Sequence, residues 1–314
     1  MQDILNKLST IGIVPVIKID DVEKAVPLAK ALCDGGIPCA EVTFRTDAAE
    51  ESIRRISKEL PDMLVGAGTV LTIDQVDRAL AAGAKFIVSP GLNPKIVKYC
   101  VDKGVLITPG CATPSEIEQA LELGLKVVKF FPAEPNGGLN YIKAIAAPYT
   151  TVKFMPTGGI SAKNLNEYLS YEKIVACGGS WMVDAKLIDA GDFAAITKLT
   201  REAVQTMLGF EIKHVGINCE DDKAAEAVAK LFCQAFGFEF KNGNSSIFCS
   251  TSIEVMKKMY FGAKGHIAIG TNHLSRAKAY LETLGFTFNE DTFNGKAIYM
   301  NEDFGGFAVH ILQK

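Results

Sequence analysis

Eight short apolar runs, most of them rich in β-branched residues, recur through the first two thirds of the chain. They are Ile13-Val-Pro-Val-Ile17, Ala40-Glu-Val-Thr-Phe44, Leu64-Val-Gly-Ala-Gly68, Phe86-Ile-Val-Ser89, Leu106-Ile-Thr108, Val127-Val-Lys-Phe130, Lys153-Phe-Met-Pro156 and Ile174-Val-Ala-Cys177. Apolarity that is continuous rather than alternating marks strands buried on both faces, as in a parallel sheet covered by helices. The intervening segments have helical spacing, for example Val22 to Leu32, and Ile117 to Leu123 followed by Gly124 as a C-cap. Eight such units predict an α/β chain folded as a (β/α)8 TIM barrel. The competing fold, a doubly wound open sheet, would carry a G-x-G-x-x-G turn after its first strand; Gly66-Ala-Gly68 runs instead into Thr69-Val70-Leu71.

After Gly209 the pattern changes. His214 to Cys219 reads as a strand, Ala224 to Phe236 as a helix, and Phe238 to Lys241, Ser246 to Cys249 and Ser252 to Met256 as three strands. The same order begins again at Gly265 to Gly270, with a helix from Leu274 to Leu284 and strands near Phe286, at Ala297 to Met300 and at Phe307 to Ile311. Leu231-Phe-Cys-Gln-Ala-Phe-Gly-Phe-Glu-Phe240 parallels Tyr280-Leu-Glu-Thr-Leu-Gly-Phe-Thr-Phe288. This internal similarity predicts an α+β domain of two βαβββ modules. The expected division is a barrel over residues 1–208 and a second domain over 213–314.

A net charge of −3 without a Lys/Arg block argues against a nucleic-acid partner, and no apolar run approaches the roughly 20 residues of a membrane helix. The N-terminal residues lack the order of a signal peptide, so a cytoplasmic protein is expected. The eight cysteines fall singly, without a C-x-x-C pair, and read as buried reduced thiols.

Barrel chemistry sits at the C-terminal ends of strands. One residue there is out of keeping with its neighbours: Lys129 lies between Val127-Val128 and Phe130-Phe131. Burying an unpaired ammonium is costly, and an amine in such surroundings is held partly as the neutral base that attacks a carbonyl. Glu41, between Ala40 and Val42, is a carboxylate suited to moving the protons of imine formation and carbon–carbon cleavage. Arg45 offers a fork for a substrate carboxylate. Thr157-Gly158-Gly159 and Gly178-Gly179-Ser180 stand at strands seven and eight, the usual phosphate site of a barrel. Taken singly, a strand lysine more often snorkels and a Gly-Gly pair is more often a turn; their common placement at strand ends favours a site.

These residues resemble a known family. Glu41-Val-Thr-Phe-Arg45, Gly66-Ala-Gly-Thr-Val70, Ser89-Pro-Gly91, Lys129-Phe-Phe-Pro-Ala-Glu134, Pro156-Thr-Gly-Gly-Ile160 and Gly178-Gly-Ser-Trp181 are similar to the motifs of class I 2-keto-3-deoxy-6-phosphogluconate (KDPG) aldolases, which often also cleave 4-hydroxy-2-oxoglutarate. The resemblance runs from Met1 to about Leu208. It implies a Schiff base between Lys129 and pyruvate, Glu41 as general acid/base, and Arg45 and Thr69 on the pyruvate carboxylate. It also implies a pocket shaped by Pro90 and Phe131, phosphate on Gly158, Gly159, Gly178, Gly179 and Ser180, and a supporting role for Lys18. Thr157 points to the gluconate rather than the galactonate epimer. A homotrimer that needs no cofactor is implied as well. The alternative is a sugar-acid binding or sensing protein on an inactive barrel.

The duplicated region, from about Lys213 to Lys314, resembles the glyoxalase/bleomycin-resistance (vicinal-oxygen-chelate) superfamily, most closely at Gly265-His-Ile-Ala-Ile269. That resemblance implies a divalent metal with His214, Glu254, His266 and His310 as ligands. His310 stands where an acidic residue is usual. A degenerate module serving oligomerisation or regulation is the alternative.

Overall fold

The apolar runs form strands in the computed structural model, which describes every residue from Met1 to Lys314. In the first unit, Met1–Met207, these are β1 (Ile13–Ile17), β2 (Cys39–Thr43), β3 (Leu64–Gly68), β4 (Phe86–Ser89), β5 (Leu106–Pro109), β6 (Val127–Phe130), β7 (Lys153–Pro156) and β8 (Cys177–Gly179). Every pairing is parallel. The ladder runs β5-β4-β3-β2-β1-β8, β6 pairs with β7, and single bridges at Gly110–Lys129 and Thr157–Gly178 connect that pair to the two ends of the ladder. The result is a curled parallel sheet with helices between successive strands.

Side-chain capping sets several of those helices directly after their strands. Thr72 accepts from Gln75 N (3.1 Å) and Asn93 from Lys95 N (3.1 Å), and Thr113 with Glu116 forms a capping box ahead of Pro114. Inside the curl, bare Cα positions face bulky partners. A Cβ on Gly66 would lie 2.3 Å from the Phe86 ring, so glycine there admits a fully buried aromatic residue.

Several sequence boundaries shift by a few residues, two of them in the first unit for reasons the structure gives. The segment predicted helical from Val22 opens with a 3-10 turn, Val22–Lys24, and the α-helix spans Ala25–Asp34; Pro27, which lacks an N–H, fits only in that first turn. The eighth strand was predicted at Ile174–Cys177 and is found at Cys177–Gly179. Ile174 makes a single bridge to Phe154, whereas the ladder to β1 pairs Cys177, Gly178 and Gly179 with Ile13, Val14 and Pro15.

The second unit, Leu208–Lys314, has an eight-stranded mixed sheet. Its strands are β9 (Glu211–Asn218), β10 (Phe240–Asn242), β11 (Ser246–Cys249), β12 (Ile253–Met256), β13 (Gly265–Thr271), β14 (Phe288–Asn289), β15 (Ala297–Met300) and β16 (Phe307–Gln313), in spatial order β10-β11-β12-β9-β13-β16-β15-β14. Helices Asp222–Phe236 and Leu274–Thr283 follow β9 and β13 respectively. The first helix buries Ala225 and Ala229 against Ile247, Cys249 and Val255.

All eight cysteines are free, and six are buried. Burial, with Glu116 adding to it, pushes the Cys111 thiol up to about 12, which keeps it unreactive. No helix is long and apolar enough to cross a membrane.

Candidate active site

Lys129 is 5% exposed on β6 and Glu41 is 1% exposed on β2, and they meet inside the curled sheet with Nζ 3.4 Å from Glu41 Oε1. The second carboxylate oxygen, Glu41 Oε2, is buried without a partner in the chain, as is Thr157 Oγ1. A buried carboxylate with one oxygen on an ammonium and the other unused can take or give a proton to a third group. The Phe131 ring, 37% exposed, lies with its centroid 5.2 Å from Lys129 Nζ.

Gly68 makes this meeting possible. A Cβ there would sit 2.2 Å from Glu41 Oε1. Gly68→Ala should therefore displace the carboxylate and, as an overpacked core site, lower stability by about 1–3 kcal/mol; chemical denaturation alongside an activity assay would check both effects.

The neighbouring residues divide between inner and outer positions. Arg45 is exposed, and its Nε donates to Thr43 Oγ1 (3.1 Å), which itself donates to the Ile17 carbonyl (2.8 Å). Thr69 holds φ of 54°, a left-handed conformation that is strained for a β-branched residue and recurs at functional turns. Pro90 is half-buried, and its carbonyl lies 1.9 Å from where a Cβ on Gly110 would be. Lys18 is exposed and paired with Asp20 at 2.8 Å.

The Thr157-Gly158-Gly159 turn has its carbonyls engaged from below. Ala133 N donates to Thr157 O (2.8 Å), Glu134 N to Gly158 O (3.0 Å) and Asn164 Nδ2 to Gly159 O (3.1 Å). Gly158 and Gly159 adopt φ of 98° and 84°, which glycine reaches without a Cβ penalty. Across the bridge Thr157–Gly178, a Cβ on Gly178 would lie 2.3 Å from Thr157 Oγ1. Gly179 is buried against the Trp181 ring and Ser180 is exposed.

In the second unit, three donor atoms converge. Glu254 Oε2 is 3.1 Å from His214 Nε2 and 3.1 Å from His266 Nε2, and the two nitrogens are 3.1 Å apart. Burial favours the neutral Glu254 acid, but hydrogen bonds from His214, His266 and Ser246 outweigh it and hold the carboxyl far below its usual range. Ser246 Oγ donates to the other oxygen at 2.6 Å. His310 is not one of the three: its ring stacks on His266 (5.2 Å between centroids, 29°), and burial together with the two neighbouring imidazoles pushes it down to about 4. Atoms that share one ion at about 2.1 Å lie about 3.0–3.4 Å apart for right-angled to tetrahedral geometry, so the triangle fits a divalent metal.

The sequence profile described as KDPG and KHG aldolase matches residues 4–199. The chain belongs to this aldolase family. A 2-dehydro-3-deoxy-phosphogluconate aldolase of Treponema pallidum (strain Nichols) is 53% identical over 205 residues, 65% of this chain and 98% of that protein. The KHG/KDPG aldolase of Escherichia coli (strain K12) is 48% identical over 198 residues, 63% of this chain and 93% of its own length. Among solved structures, the KDPG aldolase of Legionella pneumophila, with pyruvate captured as a covalent carbinolamine, superposes with a TM-score of 0.61 at 39% identity, covering 63% of this chain and 96% of that one. The enzyme of Zymomonas mobilis ZM4 with 3-phosphoglycerate also gives 0.61, at 42% identity and coverage of 65% and 95%. The family match ends at residue 199, ahead of the second unit.

Sequence reasoning about this aldolase-family chain missed the residues that make room. Gly68 carries no chemistry, yet admits Glu41. Gly216 is its counterpart in the second unit, where a Cβ would lie 2.1 Å from the His266 ring. Ser246 was read only as the start of a strand. Only Gly216, two positions from His214 on one strand, carried a local signal; Gly68 and Ser246 meet their partners through pairing across the sheet.

Proposed function

We propose that the first unit is a Schiff-base (class I) aldolase that cleaves 2-dehydro-3-deoxy-6-phosphogluconate to pyruvate and glyceraldehyde 3-phosphate, and 4-hydroxy-2-oxoglutarate to pyruvate and glyoxylate. The observation that carries this reading is the buried Lys129–Glu41 pair. An inactive sugar-acid binder would gain nothing from a buried ammonium and carboxylate, which are costly to desolvate. The aldolase occupies residues 1–208, its curled sheet closing as a (β/α)8 barrel, and assembles as a cytoplasmic homotrimer.

The Lys129 amine adds to the substrate's C2 ketone, and loss of water leaves an iminium. Glu41 takes the proton of the C4 hydroxyl as the C3–C4 bond breaks and its electron pair moves into the iminium. The aldehyde departs, the enamine is protonated at C3, and water releases pyruvate with Lys129 restored. Arg45 and Thr69 hold the carboxylate, Pro90, Phe131 and Thr157 shape the pocket, and Lys18 supports it from the rim. The main chain at Gly158, Gly159, Gly178 and Gly179 and the Ser180 hydroxyl receive phosphate. A coupled assay for pyruvate release from each substrate tests the assignment; absence of turnover with both sinks it.

For residues 213–314 we propose a glyoxalase-like domain of two βαβββ modules, with His214, Glu254 and His266 holding a divalent metal and His310 packed beside it. When bound, the ion would act as a Lewis acid toward an oxygen ligand.

A further inference from the structure

The Thr157-Gly158-Gly159 turn rests on a side chain that the catalytic reading does not use. Glu134 follows β6 by four residues, and its Cβ and Cγ occupy the space beside Gly159, where a Cβ would come within 2.5 Å of Glu134 Cγ. Its backbone N–H holds the Gly158 carbonyl at 3.0 Å, so main chain and side chain of one residue both grip the turn. The carboxylate is held in turn by Tyr168, a 1% exposed residue of helix Leu165–Leu169 whose hydroxyl donates to Glu134 Oε1. Burial and the adjacent carboxylate raise the Tyr168 phenol well above its ordinary range, which keeps it a donor. Gly138 (φ 62°) closes the other side: a Cβ there would be 3.0 Å from Glu134 Oε1 and 3.1 Å from the Tyr168 hydroxyl.

Two consequences follow. The three carbonyls of the turn are taken by donors and the Thr157 N–H donates to Phe130 O (2.9 Å), which fixes the turn's conformation. A carboxylate also stands beside a place proposed for a phosphate, where it would repel the ligand unless it were restrained; Tyr168 supplies that restraint. We infer that Glu134, held by Tyr168, is the positioning residue of the phosphate-receiving turn and sets the preference for phosphorylated over unphosphorylated keto acids. This rests on the phosphate site proposed above.

Steady-state kinetics of the full-length protein with 2-dehydro-3-deoxy-6-phosphogluconate and with unphosphorylated 4-hydroxy-2-oxoglutarate test it. Tyr168→Phe and Glu134→Ala should each raise KM for the phosphorylated substrate about tenfold, the effect of one lost hydrogen bond to a charged group, and lower the ratio of the two kcat/KM values with it. Glu134→Gln, which keeps the wedge and the acceptor, should recover most of that ratio. A purely structural role would lower both kcat/KM values together, and an unchanged ratio in Tyr168→Phe and Glu134→Ala overturns the inference. Ser180→Ala separates the two ideas. If it lowers the ratio while Tyr168→Phe does not, the positioning role alone is wrong; if it too leaves the ratio unchanged, the phosphate site fails and the inference with it.

Discussion

Replacing Lys129 by alanine will reduce pyruvate release by about 10,000-fold or more, because the amine is the nucleophile of the covalent route and no neighbour can substitute for it. Stability has to be followed in parallel. Lys129 and Glu41 are 5% and 1% exposed and 3.4 Å apart, so removing the ammonium leaves a buried carboxylate without its partner. Breaking a buried pair costs about 3–5 kcal/mol unless the remaining group takes a proton. The double variant Lys129→Ala with Glu41→Gln removes that charge and should recover much of the lost stability while staying inactive. The positive control is chemical: borohydride added with pyruvate should fix one reduced pyruvyl group on Lys129, located by peptide mass spectrometry. A label on Lys18 or Lys153 instead, or full activity in Lys129→Ala, would refute the Schiff-base assignment.

Why the sequence disclosed so much of this site, and not all of it, has a physical cause. Strands buried on both faces must be continuously apolar, so a lysine among Val127, Val128, Phe130 and Phe131 stands out in one dimension. The helices that follow declare their starts through Thr72, Asn93 and the Thr113–Glu116 box, since capping is local. Pairing across the sheet is not local. That Glu41 projects over Gly68 depends on the β2–β3 register, Thr43 opposite Gly68 and Glu41 opposite Gly66. The sequence pairs Lys129 with Glu41 by their chemistry, and the fold brings the two together from 88 residues apart, with Nζ 3.4 Å from Oε1.

Register puts His214 and His310 in one row of the sheet and Glu254 and His266 in the next. Glu254, Gly216, His266 and Ala308 are aligned across β12, β9, β13 and β16, and His214, Ala268 and His310 are aligned across β9, β13 and β16. All four donor residues share a face, as strand positions suggested. Only the bare Cα of Gly216, however, lets the His266 ring lean toward Glu254 and His214, and His310 fills the space behind it. His266 Nδ1 has no partner in the chain, so the ring is oriented by packing and by its Nε2 contacts to Glu254 and His214.

This geometry sets the second large expected effect, on metal binding. Full-length protein stripped with chelator and titrated with Zn, Ni or Mn should take up one ion per chain in the second unit. At free metal about 100 times Kd, binding adds about 2.7 kcal/mol to the stability of the folded state. For a unit spanning residues 208–314, that corresponds to a rise of about 10 °C or more in unfolding temperature. His266→Ala or Glu254→Ala removes one of three donors and should abolish both uptake and shift, since even loss of an outer hydrogen bond to a ligand costs about 10–100-fold in affinity. Gly216→Ala should act almost as strongly, because its methyl would occupy the place of the His266 ring, 2.1 Å from Cε1. His310→Gln should retain the stoichiometry, because His310 packs against the site without closing on the same point. Equal loss of metal in His310→Gln and His266→Ala would make it a four-ligand site and refute the three-donor reading. No uptake and no thermal shift in the unaltered protein would leave His214, Glu254 and His266 as a hydrogen-bonded core of a module that binds no metal.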